Sequence, residues 1–168
     1  ALDDRLVGIT PAMREGSGLV EFEKRFPDRY FDVGIAEEHA ALFACGLATK
    51  GIRPFLSIYS TFMQRAYDMI VHDMALQNLP VRLCMDRGGL SGDDGPTHHG
   101  LFDIGYLRPV PGIIHMAPKN EAEFVVMLKW MAAYDEGPTA IRYPRGPIDG
   151  TPVDGPCEPL ELGKGELI

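Results

Sequence analysis

Six short apolar runs rich in β-branched or aromatic residues recur along this chain, and longer helix-patterned stretches separate several of them. That alternation restricts the fold more than any other feature, because it is the pattern of βαβ units and a mostly parallel sheet. The expected strands are Arg5–Thr10, Arg29–Val33, Pro54–Ile58, Val81–Asp86, Ile113–Ala117 and Thr139–Tyr143; the expected helices are Glu37–Lys50, Thr61–Asn78 and Asn120–Tyr134. In the Thr61–Asn78 helix, Phe62, Ala66, Met69, Ile70, Met74 and Leu76 fall close to helical period, with the methionines acting as core filler. The fold class is therefore α/β, a doubly wound, mostly parallel sheet with helices on both faces.

At 168 residues and 45% hydrophobic content, the chain is long enough for one well-buried domain and short for two. A net charge of −8 argues against a nucleic-acid or anionic-membrane surface, since those partners need a positive field. Any phosphate must be bound by local positive charge. Cys45, Cys84 and Cys157 are an odd number with no zinc or redox spacing, and the first two lie in apolar runs as ordinary buried thiols. That usage suits a reducing compartment. The sequence carries neither an apolar run of membrane-spanning length nor a basic-then-apolar leader, so nothing in it marks secretion.

In Phe31–Gly46, FDVGIAEEHAALFACG, an apolar strand runs into a small-residue turn, and Glu37 and Glu38 stand where a helix begins. Open α/β folds bind ligands at the carboxyl ends of their strands, so a glutamate here is a candidate proton-transfer group. The plainer reading is that both glutamates complement the positive end of the helix dipole. Neighbouring helix residues point about 100° apart, so Glu38 should have little effect on Glu37. His39 reads as readily as a satisfied helix histidine as a ligand.

Further along, Tyr59 ends a strand, Ser60 or Thr61 caps a helix, and Phe62 and Arg65 share a helix face, with Tyr67 on another face and assigned to the core. Arg87 ends the fourth strand and opens the loop GGLSGDDGPTHHG, while Arg145 ends the last strand in RYPRG. If both strands are parallel, the two guanidinium groups can converge on one anion, for which arginine is well suited. An irregular segment as long as Gly88–Gly100 within a compact domain is usually functional or disordered. Its Asp94, His98 and His99 do not make a metal site, because adjacent histidines cannot readily bind one ion and further ligands are missing. His99, His72 and His115 read as structural.

The segments FDVGIAEEHA (31–40), IYSTFMQRAYDMIVHD (58–73), DRGGLSGDDGPTHHG (86–100) and RYPRG (142–146) are specific when taken together. Over Ile9–Gly146 the chain resembles the middle domain of the 1-deoxy-D-xylulose-5-phosphate synthases, thiamine-diphosphate enzymes of the transketolase superfamily. The resemblance implies condensation of pyruvate with D-glyceraldehyde 3-phosphate with loss of carbon dioxide. It makes Glu37 the acid that bonds the cofactor's aminopyrimidine, a task suited to a buried glutamate of raised pKa. Glu38 departs from the family's usual Gln.

The same resemblance gives Phe62 the stacking face for the pyrimidine ring and places Tyr59 and Arg65 on the substrate side. It makes Arg87 and Arg145 the clamp for the substrate phosphate, and gives Asp94 and His98 hydrogen-bonding and proton-transfer roles near both substrates. The diphosphate is expected to be held through Mg2+ by a Gly-Asp-Gly motif and a downstream Asn in another domain, and no such pattern occurs here. The expected organisation is a pyrimidine-binding domain over 1–146 and a linker over 147–168 toward an absent C-terminal domain. Its partner would be an N-terminal diphosphate-binding domain or fragment, and the helix that normally precedes the first strand is expected to be missing. The family implies a homodimer in the bacterial cytoplasm or a plastid, inactive as this piece alone, with no nucleic-acid or membrane partner. The rival readings are another enzyme of the superfamily, such as a transketolase or a 2-oxo-acid dehydrogenase β subunit, and a non-catalytic phosphosugar-binding or assembly module.

Overall fold

The computed structural model describes residues 3–146, 150, 152 and 161–165; Cys157 and most of the expected linker lie outside the described residues. All six expected strands form, as β1 (Leu6–Thr10), β2 (Tyr30–Asp32), β3 (Arg53–Tyr59), β4 (Arg82–Asp86), β5 (Ile114–Met116) and β6 (Thr139–Arg142). They make one sheet in the order β2-β1-β3-β4-β6-β5, and every pairing is parallel. The carboxyl ends of the strands therefore share one edge. The register sets Tyr59 beside Asp86 and Met85 beside Arg142 at that edge.

Period-2 alternation sends successive side chains to opposite faces. On one face Val7, Ile9, Leu56, Ile58, Leu83 and Met85 pack under α2 (Glu37–Ala48) and the helical segment after β3. The inner side of α2 is Ala40, Ala41, Ala44 and Ala48, small residues that let the helix lie close on the strands. On the other face Cys84 and Ile141 meet Met127 and Met131 of α6 (Glu121–Ala133), whose start is capped by the Asn120 side chain. Helix α1 (Val20–Arg25) also covers this face, since a Cβ on Gly8 would lie 3.3 Å from Leu19 and Phe22.

The expected continuous helix over Thr61–Asn78 is corrected. The segment is α3 (Ser60–Met63), a 3-10 turn (Gln64–Ala66), α4 (Tyr67–Met69) and a π turn (Ile70–Ala75). Met63, Ala66, Ile70 and Met74 are all fully buried, so the tight turn and then the wide turn keep one apolar stripe inward. The i→i−5 bond from Leu76 N–H to the Val71 carbonyl rotates the last turn outward, and Leu76, counted in the stripe, is 78% exposed. Neither Ser60 nor Thr61 caps by its side chain, because the helix already begins at Ser60. Two short helices, α1 and α5 (Asp103–Leu107), were not expected; neither is long enough to show a period. Cys45 and Cys84 are buried free thiols, each pushed up to about 12 by burial. Among the described residues, no helix is long and apolar enough to cross a membrane.

Candidate active site

Glu37 is the first residue of α2, and its side chain is only 5% exposed. The turn delivering it is held by Asp32, whose Oδ1 accepts from the backbone N–H groups of Ala12 and Gly34 at 2.8 and 2.9 Å. Glu37 Oε1 accepts a 2.6 Å bond from Arg65 Nη1. Arg65 leaves α3 at the 3-10 turn, and its guanidinium lies 4.9 Å over the Phe62 ring, on the shared face that their spacing predicts. Glu38 and His39 are exposed, so the second carboxylate is turned away from the first.

Phe62 stacks beside Tyr59, with centroids 5.8 Å apart and planes 14° apart, and His98 meets Phe62 edge-on at 5.3 Å. Tyr59 in turn lies under the Arg87 guanidinium, 3.9 Å from its centroid. Burial pushes the Tyr59 phenol up, with Arg87 opposing. Arg87 sits at φ +60°, the left-handed region that a non-glycine residue rarely adopts, immediately after β4. That turn folds its guanidinium back over Tyr59 instead of out along the strand.

Arg87 donates to Asp86 Oδ2 at 2.6 Å, to the Gly16 carbonyl at 3.2 Å and to Asp94 Oδ2 at 3.1 Å. Burial works against its charge, but Asp86, Tyr59 and Asp94 outweigh that and hold its pKa above the ordinary arginine value. Asp86 itself is pushed up by burial despite its bonds to Arg87. Arg145 Nη1 reaches the other oxygen of Asp94 at 3.3 Å and the Ser91 carbonyl at 3.4 Å. The two arginines thus meet on one carboxylate. Behind them lies a cavity of about 480 Å³ bordered by Asp86, Arg87, Lys119, Phe124, Tyr143 and Arg145.

Glu37, Arg65, Phe62, Tyr59, His98, Arg87, Asp94 and Arg145 therefore form one connected cluster at the carboxyl edge of the sheet. His99 does not join it: its Nδ1 accepts from Ser91 N–H at 3.0 Å and holds the loop. His72 pairs with Asp68 on the surface, and His115 is partly buried near Asp103. Tyr67 packs on the core and against Tyr106.

Sequence reasoning missed Gly16, where a Cβ would lie 1.7 Å from the Tyr59 hydroxyl, and whose carbonyl holds Arg87. The signal was present in Gly16-Ser17-Gly18, a small-residue turn following β1. It also missed Asp86, the second anchor of Arg87. Among the described residues, no group of three or more His, Cys, Asp or Glu side chains is placed to hold a metal ion.

An all-parallel, doubly wound sheet with a buried acid, an aromatic face and an arginine pair on its carboxyl edge defines a class of α/β domain. The chain belongs to the transketolase pyrimidine-binding domain family, whose family model matches residues 1–149. The chain is 60% identical over 167 residues to the 1-deoxy-D-xylulose-5-phosphate synthase of Azoarcus sp. (strain BH72), covering 99% of this chain and 27% of that protein. It is 59% identical over 166 residues to the synthase of Aquifex aeolicus (strain VF5), covering 99% of this chain and 26% of that protein. The chain thus spans about a quarter of the length of these curated relatives.

Among solved structures, a split-gene transketolase in an inactive β4 tetramer superposes with a TM-score of 0.78 at 27% identity, over 94% of this chain and 51% of that one. A transketolase from Campylobacter jejuni shares the fold, with a TM-score of 0.71 at 22% identity over 83% of this chain and 22% of that one.

Proposed function

We propose that this chain is the pyrimidine-binding part of a 1-deoxy-D-xylulose-5-phosphate synthase, which joins pyruvate to D-glyceraldehyde 3-phosphate with loss of carbon dioxide. The observation that carries the reading is the convergence of Arg87 and Arg145 on a single carboxylate beside the Tyr59–Phe62–His98 aromatic cluster. A phosphate offers the same paired oxygen acceptors as that carboxylate, with more charge.

The buried Glu37 carboxylate and the Phe62 ring fit an aminopyrimidine, which needs a hydrogen-bonding acid at its edge and an aromatic plane to stack on. Thiamine diphosphate, when bound, supplies the carbanion chemistry that protein side chains lack. Glu37 then holds and moves a proton at a pyrimidine nitrogen. Phe62 would offer its face to the ring, and Arg65, half-exposed and bonded to Glu37, would stand on the substrate side of it. Arg87 and Arg145 bind the phosphate of the aldehyde substrate, displacing Asp94. His98, with an aromatic wall on one side, bonds the aldehyde oxygen that gains a proton as the carbon–carbon bond forms.

The described residues do not fit a Mg2+ site, and the metal and diphosphate are assigned to a domain outside this chain. The reading includes domain limits of 1–146 with a linker beyond, a homodimer, and a cytoplasmic or plastid enzyme. The test is to give the full-length protein thiamine diphosphate, Mg2+, pyruvate and D-glyceraldehyde 3-phosphate. One carbon dioxide per 1-deoxy-D-xylulose 5-phosphate formed is expected. Ketol transfer from an added ketose phosphate to D-glyceraldehyde 3-phosphate, with pyruvate untouched and no carbon dioxide released, would instead make it a transketolase, and phosphosugar binding with no turnover would make it a binding module.

A further inference from the structure

The loop that carries Asp94 and His98 is closed at its neck by glycine backbone. Gly89 N–H donates to the Gly100 carbonyl and Gly100 N–H to the Gly89 carbonyl, both at 2.8 Å. Gly100 has no room for a side chain, since a Cβ would lie 2.2 Å from the Arg87 carbonyl and 2.5 Å from Ser60 Oγ. The neck thus touches the backbone of Arg87 and the first turn of α3 together. Whatever fixes the neck fixes the phosphate clamp and the aromatic wall relative to each other.

Arg142, the last residue of β6, is placed to do this from behind. Its Nε donates to Asp103 Oδ2 at 2.6 Å and its Nη2 to the Gly100 carbonyl at 3.3 Å. Its guanidinium lies flat against Gly88, close enough that a Cβ there would meet Cζ and Nη2 at 3.2 Å. Asp103 is fully buried at the start of α5, and its other oxygen, Oδ1, has no hydrogen-bond partner. A buried carboxylate is costly unless paired, so Asp103 holds the guanidinium in place while the guanidinium spans both sides of the neck. The hydrogen bonds shown for Arg142 go to Asp103 and Gly100, neither of which is assigned to substrate or cofactor.

We infer that Arg142, fixed by Asp103, is a positioning residue for the phosphate clamp: it pins Gly88 and Gly100 and so sets Arg87 for the phosphorylated substrate. The inference rests on the functional reading above for its kinetic consequence and on geometry alone for its structural one. Lysine keeps the charge but has neither the planar face nor the fork, so Arg142→Lys should restore only part of what Arg142→Met loses.

The experiment is backbone hydrogen exchange on the full-length protein, followed by kinetics on the same samples. Arg142→Met should speed exchange at Gly89 and Gly100 about tenfold or more, the effect of losing one charge-assisted hydrogen bond, while Leu56 and Leu83 stay as in the parent protein. Arg142→Lys should fall between. KM for D-glyceraldehyde 3-phosphate should rise about fivefold or more with KM for pyruvate and kcat within about twofold, a split that general destabilisation does not produce. If Arg142→Met fails to fold, Asp103→Asn, whose amide oxygen still accepts but carries no charge, weakens the hold on the same guanidinium at nearly constant shape and should give a smaller local change in the same direction. Parent-like exchange at the neck in Arg142→Lys and Asp103→Asn overturns the inference. A full-length parent that makes no product overturns the functional reading instead, and the exchange data still decide the structural claim.

Discussion

Arg65 and Glu37, from two different helical segments, are joined by a 2.6 Å hydrogen bond whose acceptor side chain is 5% exposed and whose donor side chain is 51% exposed. The asymmetry makes the arginine the movable half. A flat heterocycle that reaches Glu37 can take over this bond without unburying the carboxylate.

Glu37→Gln preserves the size of the side chain and an oxygen that can still accept from Arg65, but it removes the ability to exchange a proton. In the full-length enzyme it should lower turnover by about 10²–10⁴, the usual contribution of a general acid or base. The melting temperature should stay within a few degrees of the parent. Turnover within a fewfold of the parent would remove Glu37 from the mechanism.

Asp94 ties Arg87 and Arg145 into one unit, and energies within such a unit are not additive. Each single alanine substitution should raise KM for D-glyceraldehyde 3-phosphate by about 10-fold or more, on the scale of one charged hydrogen bond. Steady-state kinetics of the two singles and the double would show less than the product of the two effects. Fully multiplicative effects would mean that the two arginines do not share a ligand.

How much of this was legible follows from the kind of interaction involved. The six strands announced themselves as short β-branched or aromatic runs, four of which, β1, β3, β4 and β6, are largely buried, and Glu37 fell at the start of α2 as its position after a strand and turn implied. The meeting of Arg87 and Arg145 was legible because parallel topology forces strand exits onto one edge. The breaks in the Thr61–Asn78 helix were not, since the stripe Met63, Ala66, Ile70 and Met74 is equally compatible with a regular helix carrying a slightly different face. Gly16 and Arg142 were hidden for another reason. Their partners, Tyr59 and Arg87 for the first and Asp103 and Gly100 for the second, are 39 to 71 positions away and meet only through the fold.

Arg87 holds φ at +60°, where an L side chain is strained and glycine is not. Arg87→Gly and Arg87→Ala both delete the guanidinium, so they lose the same bonds to Asp86, Asp94 and Gly16. The glycine variant should nonetheless be more stable than the alanine variant by about 1 kcal/mol, since only alanine keeps the left-handed penalty. Denaturant midpoints of the two proteins measure this directly. Equal midpoints would mean that the turn after β4 relaxes once the guanidinium is gone.

His115 lies partly buried beside Asp103 and Arg142, and burial lowers its pKa, with Asp103 opposing and Arg142 adding. Below its ordinary value of 6.5 the unfolded chain binds this proton before the folded one does, so folding loses stability as pH falls from about 6.5 toward the lowered folded value. His115→Phe should flatten the slope of unfolding free energy over that interval and leave the alkaline side unchanged. An unaltered slope in urea titrations at several pH values would show that the proton is taken up elsewhere.

Two glycines with opposite surroundings test the packing account of the loop neck. Gly46 lies on an outward position of α2 with open space where a Cβ would go, so Gly46→Ala should stabilise by about 0.5–1 kcal/mol through helix propensity alone. At Gly100 the same methyl group would collide with the Arg87 carbonyl, which is backbone and cannot rotate away, and with Ser60. Gly100→Ala should therefore cost about 1–3 kcal/mol, the range of overpacked sites, and it should also raise KM for the phosphorylated substrate, because the strain can be relieved only by moving Arg87. Thermal or urea unfolding measures the first effect and steady-state kinetics the second. A Gly100→Ala protein with parent-like stability and KM would mean that the neck yields without shifting the clamp, and the coupling between loop backbone and phosphate recognition would have to be abandoned.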